Sequence, residues 1–131
     1  MIVLPVTLSA AAAAAIISLW LGLRIGQIRA SQNVIHGDGG VPLLTRRMRA
    51  QLNFVEYTPF VLALIAAIEL AGKGGSWLAW VTAAYFAGRV LHPFGMDAEG
   101  PHKARAAGVI LTLLTLLGLA VVAVLTAMGR M

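Results

Sequence analysis

Arg46, Arg49, Asn53, Glu56 and Phe60 recur at intervals of three, four, three and four residues, a period that places side chains on one face of a helix. Most of them fall in RMRAQLNFVEYTP, residues 47–59, which leads into an apolar segment. A carboxylate carried into a bilayer costs about 2.5 kcal/mol or more if it stays unpaired. Glu56 therefore needs a neighbouring helix, a wet cavity or a ligand, and Arg49 and Arg46 are the nearest cations in sequence. Arg49, Asn53 and Glu56 read equally as a ligand site or as an internal ion-pair and amide network joining helices. Glu56 alone would also suit proton-coupled transport. Arg46 and Arg47 read as interfacial arginines reaching to headgroups, and Tyr57 lies one residue off the stripe.

These residues must be positioned by membrane helices. Of the 131 residues, 60% are hydrophobic and 11% charged, a balance too apolar for a water-soluble domain of this length. Residues 2–23, 47–71, 77–91 and 103–128 read as four helices, with apolar stretches at 2–23, 52–71, 77–91 and 107–128. Each approaches the roughly 20 residues that span a bilayer, the third being short. No alternating strand pattern is present, so the expected fold is all-α: one integral membrane four-helix domain over 1–131. The first segment has no basic residues ahead of its apolar run and reads as a spanning helix rather than a cleaved signal.

Eight of the ten lysines and arginines border the 1–2 and 3–4 connections, against Lys73 and Arg130 on the other side. This asymmetry predicts those connections in the cytoplasm and both termini outside. It also accounts for the net charge of +5 through topology and anionic headgroups, without nucleic acid. The chain has no cysteine, which excludes disulfides, thiolate metal sites and a cysteine nucleophile of its own. His36, His92 and His102 are too dispersed for a metal site. GDGG at 37–40 supplies a turn, and neither a preceding strand nor a following Lys-Ser/Thr makes it a phosphate loop. Pro93, Gly95 and Gly100-Pro101 are expected to break the chain between the last two helices, with Pro101 in the first turn of the fourth.

The run from Arg49 to Pro59, R-A-x-x-N-x-x-E-x-x-P, resembles the signature of the MAPEG family, membrane-associated proteins of eicosanoid and glutathione metabolism. GDGG before it and GRVLHPFG at 88–95 resemble the small bacterial branch, so the likeness covers essentially the whole chain. The resemblance implies a four-helix protomer, a homotrimer, a bacterial inner-membrane location and glutathione held between protomers on the cytoplasmic side. It places Arg49, Gln51, Asn53, Glu56 and Tyr57 at glutathione-holding positions, with Arg89 of the Arg89-x-x-His92 element bordering the site. The chemistry suits that ligand: arginine offers paired donors to a carboxylate, Glu56 accepts from the γ-glutamyl ammonium, and Asn53 bridges polar groups.

Arg105, near the start of the fourth helix, stands where transferases of the family carry the arginine that stabilises the glutathione thiolate. Its other reading is an interfacial anchor beside His102 and Lys103. His92 reads as an interfacial hydrogen-bonding residue rather than an acid or base. Ala106 and Met96 replace a serine and a tyrosine of the prostaglandin-synthase branch, which argues against isomerase chemistry. The expected function is a glutathione-dependent transferase or peroxidase acting on hydrophobic electrophiles delivered by the membrane. The alternative is a non-catalytic relative that binds a ligand or partner helices.

Overall fold

The computed structural model describes residues 2–131; Met1 lies outside the described residues. The fold is all-α, with α1 (Pro5–Gln32), α2 (Pro42–Leu70), α3 (Ser76–Asp97) and α4 (Lys103–Ala127). Helices α1, α2 and α4 are long and apolar enough to cross a membrane. In α3 the apolar run is diluted by Thr82, Arg89 and His92, all buried, so its polar groups face other helices rather than lipid. Leu21, Phe54, Val61, Ile65, Leu78, Tyr85 and Leu119 build the core, while Ile16, Leu19, Trp80 and Leu117 face outward as a lipid-facing surface requires.

The helices outrun the apolar stretches, because a helix need not stop where the hydrocarbon does. Helix α1 continues nine residues past position 23 to Gln32 and ends at Asn33, whose left-handed φ of 54° terminates it. Asp38 accepts hydrogen bonds from the Gly40 amide and the Thr45 hydroxyl, both at 3.0 Å. The Gly40 amide first, then Thr45, hold its carboxyl below the usual carboxylate range, fixing the approach to α2. Extended Val41 precedes Pro42, which occupies the first turn.

Two expectations about the 3–4 connection are corrected. Pro93 and Gly95 do not end α3, which runs through both to Asp97. Pro93 cannot donate a backbone bond, but it and Gly95 are buried against neighbouring helices, which hold the chain helical. Pro101 lies just outside α4; the N-cap is His102, whose Nδ1 accepts from the Ala104 amide at 3.2 Å.

Polar clasps lock the two ends of the bundle. At one end Leu4 caps α1 without any side-chain hydrogen bond, and Glu69 of α2 takes over that task. Its carboxylate accepts from the Val6 amide at 3.0 Å, the Thr7 amide at 2.8 Å and the Thr7 hydroxyl at 2.7 Å, which satisfies donors a helix start leaves free.

At the other end Asp97 pairs with both Arg24 and Arg47, and Arg47 also donates to the Arg24 carbonyl at 2.8 Å. Trp20 and Phe94 flank the Arg24 guanidinium at 5.0 and 5.4 Å. Arg47 is thus an internal tie between α1, α2 and α3 rather than a headgroup anchor. Because Arg24 is buried and would lose its carboxylate, Asp97→Asn is expected to destabilise the fold by about 2 kcal/mol. That figure lies below the full cost of breaking a buried pair, since the Asp97 side chain is 28% exposed. Thermal unfolding in detergent measures it; an unchanged midpoint would make the clasp a screened surface contact.

Candidate functional site

The end of the bundle that carries most of the basic residues holds a cavity of about 220 Å³ among α2, α3 and α4, lined by Arg49, Leu52, Asn53, Glu56, His92, Met96, Arg105 and Val109. Arg49, Asn53 and Glu56 reach it because one helical stripe carries all three. Arg105 comes from the first turn of α4, 49 residues beyond Glu56 in sequence. Leu52, Met96 and Val109 make the walls apolar on one side, so charged groups and a non-polar surface share one space. A larger groove of about 390 Å³ between α1 and α3 is lined by alanines, Thr82, Phe86 and other small or apolar residues, with no ionisable group.

Among the described residues, Asp97 is the carboxylate that forms ion pairs, with Arg24 and Arg47. Glu56 therefore does not close an internal ion pair with Arg49 or Arg46, and Glu56, Arg49 and Arg105 are all exposed on the protomer. A membrane helix does not leave a carboxylate and guanidiniums open to hydrocarbon without cost. Arg105 adds to this, since the first turn of α4 carries Lys103 and Arg105 and no acid. Cations at a helix N-terminus oppose its dipole, and together they make a positive focus suited to an anionic group.

Asn53 is oriented from behind. Arg89 is fully buried and donates from Nη2 to Asn53 Oδ1 at 2.8 Å and from Nη1 to Thr112 Oγ1 at 2.9 Å. The Thr112 hydroxyl in turn donates to the Gly108 carbonyl at 2.8 Å. Arginine has only donors, so Asn53 must turn its oxygen inward, and its NH₂ group remains for the cavity. Phe54 lies 5.7 Å from the Arg89 guanidinium carbon. Arg89 thus stands one residue behind the cavity and ties α2 to α4.

The remaining expected residues are placed differently. Gln51 lines an adjoining groove between α1 and α2, with Gly22, Arg29 and Met48, and Arg49 and Leu52 border both spaces. Tyr57 is half-buried and is not one of the cavity's walls. His92, expected at the interface as a hydrogen-bonding residue, is 2% exposed, lines the cavity, and keeps an Nδ1 without a partner among the described residues. Tyr85, whose hydroxyl lies 2.8 Å from Thr58, is a core residue. Sequence reasoning missed the cavity walls Leu52 and Val109, since apolar residues in a membrane helix carry no distinguishing signal, and it singled out Met96 only as a replacement for a tyrosine.

The polar stripe, the Arg105-bearing turn and the four-helix architecture coincide with a match of the chain to the MAPEG family model over residues 7–125. The chain belongs to the MAPEG family. The match takes in all four helices apart from the outermost residues of α1 and α4, so every MAPEG element described above lies within it. No individual curated protein matches the sequence significantly.

Proposed function

We propose that this MAPEG protein binds glutathione in the α2–α3–α4 cavity and transfers it to hydrophobic electrophiles dissolved in the bilayer. The observation that carries the reading is the convergence of Arg49, Asn53, Glu56 and Arg105 on one cavity in a chain of this family. The donor set fits the ligand: two guanidiniums for carboxylates and a thiolate, an amide with free donors, and a carboxylate without an internal counter-ion for an ammonium. Bound glutathione supplies a thiol whose sulfur displaces a leaving group from the electrophile, the thiol proton going to solvent. Arg105 favours the ionised form of that thiol, Arg49 and Glu56 hold the peptide's charged ends, and Arg89 keeps Asn53 facing inward. The apolar walls and exposed outer faces of α2 and α4 admit a lipid-dissolved partner, which proximity makes reactive.

The working unit in this reading is a homotrimer. A volume of about 220 Å³ falls below the ~300–1,000 Å³ usual for ligand sites, and the charged residues stay open at the protomer surface. A neighbouring protomer would cover them. Purified protein given glutathione and a chloronitrobenzene is expected to form conjugate well above the uncatalysed rate. Binding without turnover would favour a non-catalytic ligand-binding member instead.

The reading also places the cavity on the cytoplasmic side of a bacterial inner membrane, with both termini outside. The absence of cysteine makes this directly measurable. A thiol introduced by Ile35→Cys, in the exposed 1–2 connection, is expected to resist impermeant reagents until cells are opened. Labelling of intact cells would invert the orientation.

A further inference from the structure

We propose that Gly95 is the positioning residue for Arg105: the missing side chain lets the first turn of α4 press its backbone onto α3, which carries Arg105 to the cavity. A Cβ added at Gly95 would stand 2.2 Å from the Arg105 amide nitrogen, 2.7 Å from its Cα and 2.8 Å from its Cβ. The first two are backbone atoms and the backbone fixes the third, so no rotamer change can relieve the overlap. The same seam continues at Gly108, where a Cβ would come within 2.6 Å of the His92 Cβ and 2.7 Å of the Gly88 carbonyl oxygen. Gly95 and Gly108 therefore draw together His92 of α3 and Arg105 of α4, two residues that line the cavity. Small residues at a membrane-helix contact commonly serve association alone; here the contact falls on the backbone of a residue that faces the site.

Electrostatics make such a device necessary. Lys103 and Arg105 crowd the positive end of α4 without a compensating acid, and the His102 cap satisfies only the Ala104 amide. Left to itself, that turn would fray or swing away from α3. The Gly95 contact pins it.

The functional part of this inference rests on the glutathione reading; the geometric part does not. Hydrogen exchange on wild-type protein in micelles tests the geometry without any ligand. First-turn amides lack intrahelical acceptors and exchange readily, but the Arg105 amide, packed on Gly95, is expected to exchange at least about tenfold more slowly than that of Lys103. Equal rates would overturn the proposal.

The functional arm compares Gly95→Ala with Gly88→Ala. At position 88 the new Cβ meets the Leu111 side chain at 3.0 Å and needs only a shift of a few tenths of an ångström. At position 95 the Arg105 backbone must move by about an ångström, which takes its guanidinium off the sulfur, so the loss in rate approaches that of Arg105→Ala and does not exceed it. Gly95→Ala is expected to return the bound glutathione thiol to its solution titration and to lower kcat/KM, with Kd held within about threefold by the α2 residues. Gly88→Ala is expected to leave the thiol titration in place.

A folded Gly95→Ala protein with wild-type thiol titration would overturn the proposal, as would equal shifts in both variants, which would mark general packing loss. If Gly95→Ala fails to assemble, the wild-type exchange rate at Arg105 decides. If the wild-type protein binds no glutathione, the functional reading falls on its own and the exchange measurement still decides where Gly95 holds Arg105.

Discussion

Arg105→Ala is expected to move the acid limb of the pH–rate profile upward by about two units, towards the ~8.5 of a free thiol. Two units correspond to about 2.7 kcal/mol of preference for the thiolate, supplied by the guanidinium together with the positive end of α4. With the bound thiol near ~6.5, roughly three-quarters is ionised at pH 7; at ~8.5 only about 3% is, a loss of about 25-fold in nucleophile. A more basic thiolate is also more reactive, and a Brønsted coefficient of about 0.4–0.5 returns six- to tenfold of that loss.

The net fall at pH 7 from ionisation alone is therefore only a few-fold, and the displaced limb is the decisive observation. Any additional loss that persists above about pH 9.5, where both thiols are ionised, measures how far Arg105 also places the sulfur. Arg105→Lys keeps the charge without the planar fork and is expected to fall between. Ultraviolet titration of the bound thiolate checks the assignment directly. An unmoved titration in correctly assembled protein would make Arg105 an interfacial anchor.

Arg49→Ala and Glu56→Gln are expected to weaken glutathione binding by about 10- to 100-fold each, because each removes a charge-assisted contact valued at about 1.5–3 kcal/mol. Arg47→Ala is the informative comparison. It removes the same charge two residues away, but Arg47 is committed to Asp97 and the Arg24 carbonyl and does not line the cavity. Its Kd is expected to stay within about threefold while its thermal midpoint falls with that of Asp97→Asn. Calorimetry at fixed ionic strength ranks the three. Equal losses would mean that a diffuse basic surface attracts the peptide, and unchanged binding at positions 49 and 56 would remove the cavity as its site. A structural network would behave differently, since Glu56 has no ion-pair partner among the described residues to release.

The membrane class, the helical stripe and the MAPEG signature were legible in the amino-acid sequence for definite physical reasons. An apolar run of spanning length has few other destinations. A three-four spacing fixes which side chains share a helix face before any tertiary contact exists, which is why Arg49, Asn53 and Glu56 arrive at one cavity. Arg105 was reachable by resemblance, since nothing local separates it from Lys103 as a basic residue at a helix start.

The remaining assignments depend on which helix faces which. Arg46 and Arg47 look alike in sequence, yet Arg47 is drawn inward by an Asp97 fifty residues away. Arg89 and Gln51, both expected against the ligand, take different places: Arg89 behind Asn53, Gln51 in the groove towards α1. Pro93 and Gly95 read locally as breakers, because isolated residues of these types do end helices. Packing on α4 reverses that preference, and the close approach at Gly95 that sets Arg105 in place exists only once the two helices have met.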